Sequence, residues 1–355
     1  MKILCVVGAR PQFIKLGALQ QAIKKNSEIK SITVHTGQHY DSNMSEIFFE
    51  QLEIDKPEYN LEINQIERVE SISKMVNGIK EILFTEKPDW VVVFGDTNST
   101  LAGAMAAKEL NIRVAHIEAG LRSFNNEMPE ELNRIQTDQK SDLLFAPTLT
   151  AIKNLKDENY HSNQIVHCGD IMLDAFEFYK RKALLLNNII PNLPSKFILC
   201  SLHRQGLLEN REALAEVIES LNEINEIIPI IFPAHPRTFN VFRNMAVPIT
   251  FRIVDPQSYF SILNLLDKCC MVITDSGGLQ KEAFFAKRGC ITIREDTEWV
   301  ELVEAGVNLL AGLSKEGIIH AFELACKTQF DFSKQFYGNG DAAEIIINKL
   351  VERTN

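Results

Sequence analysis

The stretch Asp275-Ser-Gly-Gly-Leu-Gln-Lys-Glu282 stands between an apolar run, residues 271–274, and a helical pattern. Two consecutive glycines let a backbone turn sharply and approach a ligand, and the following helix offers unpaired N–H groups and a positive dipole end to an anion. Ser276, Gly277 and Gly278 are therefore expected to hold a phosphate. Glu282 falls about two turns along that helix, where a carboxylate could receive both hydroxyls of a ribose. An ordinary strand-to-helix turn is the alternative, because Gly-Gly alone does not require a ligand.

Other reactive residues also stand where apolar runs end. Gly8-Ala-Arg-Pro-Gln-Phe-Ile-Lys15 follows the first run, with Pro11 suited to a helix's first turn and Arg10 and Lys15 available to an anion. Asp96 reads as a helix N-cap or as a catalytic acid. Glu118 closes an apolar run, where burial would raise its pKa and suit it to proton transfer. Glu130 and Glu131 open a helix whose dipole also favours acidic residues. His203-Arg204 and His235 with Arg237 occupy corresponding places in the second half, each histidine reading as structural or as a site residue.

Positioning these groups requires a strand before each of them. Apolar runs at 2–7, 32–35, 90–94, 113–117, 143–146 and 165–167 alternate with amphipathic segments, the βαβ rhythm of a parallel sheet. A helical segment over 170–182 and an irregular stretch broken by Pro191 and Pro194 follow. The rhythm then restarts at 197–201, 228–232, 249–253, 271–274 and 290–293. The expected organisation is α/β: residues 1–170 as one Rossmann-like doubly wound domain, 171–195 as connecting helix and linker, 196–340 as a second such domain, and 341–355 as a terminal helix. That helix either closes the second domain or packs back on the first. No G-x-G-x-x-G fingerprint follows the first strand, so a nicotinamide cofactor is unsupported.

At 355 residues the chain exceeds what one core usually serves, which agrees with two domains. A net charge of −10 argues against general nucleic-acid binding, so an anionic ligand needs local positive charge. No apolar run approaches a membrane span, and the first residues read as a buried strand instead of a signal peptide, so a cytoplasmic location is expected. The seven cysteines lack C-x-x-C spacing and read as small core residues.

Taken in order, Gly8-Ala-Arg-Pro-Gln-Phe-Ile-Lys15, Thr36-Gly-Gln-His39, Gly95-Asp-Thr97, His116-Ile-Glu-Ala-Gly-Leu-Arg122, Pro129-Glu-Glu-Leu-Asn-Arg134, Leu202-His-Arg204 and Asp275-Ser-Gly-Gly278 cover nearly the whole chain. This set resembles the non-hydrolysing UDP-N-acetylglucosamine 2-epimerases. The resemblance implies two Rossmann-like domains facing a cleft in the B-type glycosyltransferase arrangement, a homodimer, a UDP-sugar substrate, and neither cofactor nor metal. Matched residue by residue, it makes Asp96, Glu118, Glu130 and His203 the catalytic candidates. Arg10, Lys15, Arg204, His235, Ser276, Gly277, Gly278 and Glu282 then match positions that hold substrate or UDP.

The chemistry explains such a set. Carbon 2 of the sugar is not beside a carbonyl, so its proton is barely acidic until UDP begins to leave carbon 1. A carboxylate can then take the proton to give a glycal, and reprotonation on the other face with return of UDP inverts carbon 2. Tyr40-Asp-Ser-Asn-Met44 replaces the basic residue that commonly follows Thr-Gly-Gln-His, and Gln205-Gly-Leu-Leu208 intervenes before Glu209-Asn210. Several stretches, among them Thr297-Glu-Trp-Val-Glu301, look closer to the branch acting on UDP-2,3-diacetamido-2,3-dideoxy-glucuronate. Arg122, Arg134, Arg204 and Arg294 are the candidate partners for that sugar's carboxylate, with ion pairs to nearby glutamates as their alternative role. A hydrolysing epimerase, a retaining glycosyltransferase of the same fold and a UDP-sugar sensor without turnover are the competing functions.

Overall fold

A computed structural model describes residues 1–37, 49, 51–63, 67–185 and 190–354. The expected motif residues Gln38, His39 and 40–44, and residues 186–189 of the irregular stretch, lie outside the described residues. The chain divides into two compact units, Met1–Glu177 with Gln335–Asn355, and Phe178–Lys334.

In the first unit the order is β1 (Lys2–Val7), α1 (Arg10–Ile23), β2 (Lys30–His35), β3 (Tyr59–Asn60), α2 (Arg68–Glu86), β4 (Trp90–Phe94), α3 (Asn98–Glu109), β5 (Arg113–Ile117), α4 (Pro129–Lys140), β6 (Leu143–Ala146), α5 (Leu149–Asp157) and β7 (Ile165–His167). Helix α6 (Ile171–Leu185) carries the chain onward. The strands form one parallel sheet in the order β3-β2-β1-β4-β5-β6-β7. A parallel sheet is covered on both faces, so its central strands read as unbroken apolar runs. Trp-Val-Val-Val-Phe of β4 is buried throughout.

The second unit continues with β8 (Ile198–Ser201), α7 (Gln205–Glu209), α8 (Arg211–Ile227), β9 (Ile230–Pro233), α9 (Pro236–Arg243), β10 (Arg252–Val254), α10 (Tyr259–Lys268), β11 (Met271–Thr274), α11 (Gly277–Phe285), β12 (Gly289–Thr292), α12 (Val300–Glu304), β13 (Asn308–Leu310) and α13 (Lys315–Lys327). Its parallel order is β10-β9-β8-β11-β12-β13. Both units are therefore doubly wound, Rossmann-like α/β folds. The final helix, α14 (Ala342–Thr354), belongs to the first unit and packs against α1. There the Trp90 indole donates to Thr354 Oγ1 at 2.9 Å.

Several strand limits differ from the expected ones for local reasons. Ile228 ends α8, its N–H donating to Ile224 O, so β9 begins only after Pro229. Asn222 and Asn225 bind both backbone groups of Thr250, which takes residues 249–251 out of the ladder expected for β10. The short strands β3 and β13 were not expected at all.

In each sheet the winding direction reverses at one place, between β1 and β4 in the first and between β8 and β11 in the second. Loops leaving the carboxyl ends of two such strands run in opposite directions and open a crevice for a ligand. The loops after β1 and β4 carry Arg10 and Asp96. Those after β8 and β11 carry His203-Arg204 and Ser276-Gly-Gly278.

Candidate active site

At the first switch point the two loops are stitched by one buried amide. Gln12 Oε1 accepts from the N–H groups of Gly8 and Ala9 at 2.8 and 3.0 Å. Its Nε2 donates to Phe94 O and Thr100 Oγ1, both at 2.9 Å. A Cβ on Gly8 would lie 2.1 Å from Ser99 Oγ and 2.2 Å from Thr36 Oγ1, so glycine is required for this approach. Asp96 does not cap α3; Thr97 does, its side chain accepting from Thr100 N. The Asp96 carboxylate instead accepts from Arg134 Nη2 at 2.6 Å, while Arg134 Nη1 donates to Glu131 Oε2 at 2.6 Å.

Glu118 leaves β5 in the left-handed region, with φ 73°. This conformation costs a non-glycine residue roughly 1–3 kcal/mol and persists only where its surroundings impose it. The N–H groups of Glu118 and Ala119 both donate to Phe145 O, and Gly120 N donates to Asp138 Oδ2 at 3.2 Å. Its buried carboxylate pairs with the Lys15 ammonium. The Lys15 cation offsets the charge of this buried carboxylate. A Cβ at Gly95 would lie 3.1 Å from both Glu118 Oε2 and Lys15 Nζ, which places the pair directly beside the Asp96 loop.

One buried network anchors both loops. His116 Nε2 meets Gly95 O at 2.7 Å and its Nδ1 meets Asp138 Oδ1 at 2.7 Å. Asp138 Oδ2 also receives Arg122 Nη1 at 2.8 Å, and Arg122 forms a two-bond fork with Glu158 at 2.6 and 2.7 Å. Burial raises the Asp138 pKa, but the His116 hydrogen bond and charge and the Arg122 charge prevail and hold it below the ordinary carboxylate range. His116 thus ties the backbone just before Asp96 to the strand that delivers Glu118. Nothing in the sequence pairs His116 with Asp138, which lies on α4.

Of the two acidic residues opening α4, Glu130 is exposed, whereas Glu131 is 1% exposed. Glu131 also accepts from Ser123 N, Ser123 Oγ and Phe124 N at 3.0 Å each, so it shapes the loop before α4. The spacing Glu131-x-x-Arg134 was the available signal for that pair.

In the second unit Asp275 is the organising residue. Its carboxylate accepts from His203 N at 3.0 and 3.1 Å and from Arg204 N at 2.8 Å, and its Oδ1 stands 3.2 Å from His203 Nδ1. Burial raises its pKa, but the His203 contacts and those N–H groups outweigh this and hold it below the usual range. The His203 side chain remains 54% exposed, oriented at one nitrogen by Asp275. Ser276 caps α11, its side chain accepting from Leu279 N at 3.3 Å. A Cβ on Gly277 would stand 2.2 Å from Glu298 Oε1, while Gly278 is exposed. His235 caps α9, its Nδ1 accepting from Arg237 N at 3.3 Å. Glu282, expected about two turns along that helix as the ribose carboxylate, is 7% exposed inside α11.

Three of the four arginines considered for a sugar carboxylate are committed within the protein. Arg122 and Arg134 hold the pairs above, and Arg294 donates to Glu298 at 2.8 Å and Asp296 at 3.0 Å. Arg204 is half-buried, and among the described residues its guanidinium makes no ion pair or hydrogen bond.

Two doubly wound units, one with carboxylates paired to buried cations at its strand exits and the other with a capped Gly-Gly turn, define an α/β enzyme of nucleotide-sugar type. Residues 21–351 match the family model described as UDP-N-acetylglucosamine 2-epimerase, and the chain belongs to that family. It is 44% identical over 355 residues to the Pseudomonas aeruginosa UDP-2,3-diacetamido-2,3-dideoxy-D-glucuronate 2-epimerase, covering 99% of this chain and all of that one. The crystal structure of Methanocaldococcus jannaschii UDP-GlcNAc 2-epimerase in complex with UDP-GlcNAc and UDP matches with TM-score 0.94 and 40% identity, covering 99% of this chain and 100% of that one. The Neisseria meningitidis UDP-GlcNAc 2-epimerase bound to UDP-GlcNAc matches with TM-score 0.91 and 29% identity, with the same coverages.

Proposed function

We propose that this isomerase inverts carbon 2 of a UDP-N-acetylhexosamine by elimination and return of UDP through a glycal. The observation that carries the reading is the pair of carboxylates Asp96 and Glu118 at the exits of adjacent strands, each beside a buried cation, Arg134 and Lys15. Such groups can move protons at a ring carbon without a metal. Glu130 and His203 complete the acid/base set, with Asp275 fixing the His203 ring. Arg10, His235 and the Ser276–Gly278 turn hold the departing diphosphate, and Glu282 receives the ribose.

In the forward direction the carbon 2 proton passes to an enzyme base as the carbon 1–oxygen bond breaks, leaving glycal and UDP. A proton then adds to the opposite face of carbon 2, and a UDP oxygen re-forms the bond to carbon 1. The reading extends to a cytoplasmic homodimer that supplies a surface-polysaccharide pathway and engages neither nucleic acid nor membrane. Among the described residues no helix is long and apolar enough to cross a membrane.

Turnover in deuterated water, followed by NMR, tests the mechanism. Deuterium is expected at carbon 2 of both epimers, with UDP retained on the sugar. Its absence from carbon 2 would refute elimination. Accumulation of free sugar and UDP would instead favour a hydrolysing epimerase.

A further inference from the structure

We propose that Lys281 is a positioning residue for the Gly-Gly turn and acts on it through Trp299, so that affinity for UDP depends on a buried cation that does not touch UDP. This rests on the reading that the Ser276–Gly278 turn holds the diphosphate. The loop that carries Trp299 is fastened to α11 at two consecutive residues, Gln280 and Lys281. Gln280 is fully buried. Its Oε1 accepts from Thr297 Oγ1 and Asn308 Nδ2 at 2.8 Å each, and its Nε2 donates to Ser276 O at 3.2 Å. One amide thus joins the loop to the residue that caps the turn.

Lys281 is 1% exposed and sets its ammonium over the Trp299 ring, 4.1 Å from the ring centre. Positions four apart share a helix face, so Lys281 stands one turn along the same face as Gly277. Gly277 leaves that face open and the indole fills it. Trp299 Nε1 lies 3.5 Å from where a Gly277 Cβ would be, beside Glu298 Oε1 at 2.2 Å. The ring therefore meets the Lys281 ammonium on its face and the Gly277 backbone at its Nε1 edge. A buried ammonium is costly, and early in a helix it also opposes the dipole, whereas the negative face of a desolvated indole attracts it. Held in this way, the indole fixes the peptide groups of Gly277 and Gly278, whose N–H groups have no acceptor within the helix. Donors fixed beforehand bind an anion with less ordering at the moment of contact.

Calorimetry with UDP on the full chain, with a melting curve for each variant, tests this. Lys281→Met removes the charge and keeps an unbranched stem; it is expected to weaken UDP binding roughly tenfold, within the range for a desolvated cation on an indole. Lys281→Arg, which keeps a cation able to stack on the ring, is expected to stay within about threefold of the wild type. In a Trp299→Leu background Lys281→Met is expected to cost no further affinity, because the ring through which it acts is gone. Lys281→Gln repeats the comparison should Lys281→Met not fold. The wild type adds a readout free of any substitution: its two tryptophans give two indole N–H resonances in isotope-labelled protein, and UDP is expected to shift the one that Trp299→Leu removes. Neutral variants that melt lower with UDP affinity unchanged would make Lys281 structural only and overturn the proposal. Additive losses in the double variant, or an unmoved Trp299 resonance at saturating UDP, would overturn it too. Gly277→Ala separates that failure from failure of the diphosphate reading: it still weakens UDP binding if only the role of Lys281 is wrong, and unchanged affinity in that variant would overturn both.

Discussion

Asp138→Asn is the most informative perturbation of the first unit, because Asp138 has no candidate role in substrate contact yet supports both the Asp96 and the Glu118 loops. The substitution keeps the shape and removes the charge that meets His116 Nδ1 at 2.7 Å and Arg122 Nη1 at 2.8 Å. Both partners are fully buried, so solvent cannot replace the lost anion. Removing one member of such a buried set costs about 3–5 kcal/mol. For a unit of this size each kcal/mol corresponds to roughly 2–4 °C, so a melting temperature lower by about 10 °C is expected.

The gap should also depend on pH. The Asp138 pKa is depressed in the folded state, so its contribution is fully present above the unfolded carboxyl value and lost as pH falls through the folded one. Calorimetric scans of both proteins from pH 8 downward should show a constant gap to about pH 5 that closes below about pH 4. A gap under about 2 °C at pH 7, or one that widens in acid, would refute the assignment of this network as the support of the Asp96 and Glu118 loops.

Gly277→Ala places a methyl 2.2 Å from Glu298 Oε1, and Glu298 cannot easily retreat because Arg294 holds its other oxygen at 2.8 Å. Calorimetry should show UDP binding at least about tenfold weaker, with an overpacking cost of about 1–3 kcal/mol visible in melting; unchanged affinity would remove Gly277 from the UDP site. Glu282→Ala should weaken UDP binding as well, and because Glu282 is 7% exposed it should also lower stability, by about 1–3 kcal/mol. A folded variant with unaltered UDP affinity would show that this carboxylate serves α11 alone.

What the sequence determined by itself was local. The limits of β1, β4, β6 and β11 were legible because a strand buried on both faces must be an apolar run, and Gly8, Gly95, Pro147 and Asp275 end these four; those of β5 and β7 were legible from the apolar run alone. The positions of Arg10, Asp96, Glu118, His203 and Ser276 at strand exits followed from that alone. Strands β3 and β13, of two and three residues, carry too little pattern to be seen. The tertiary structure alone decided which groups meet. Lys15 reaches Glu118 across 103 residues, His116 reaches Asp138 across 22, and Asp275 takes His203 N across 72. Those pairings follow from strand order and loop direction, which set β1 beside β4 and β8 beside β11. Whether Arg122, Arg134, Arg204 or Arg294 could serve a ligand was likewise undecidable from spacing. A guanidinium's availability depends on every carboxylate that the fold brings within reach, and among the described residues folding supplied partners to three of the four.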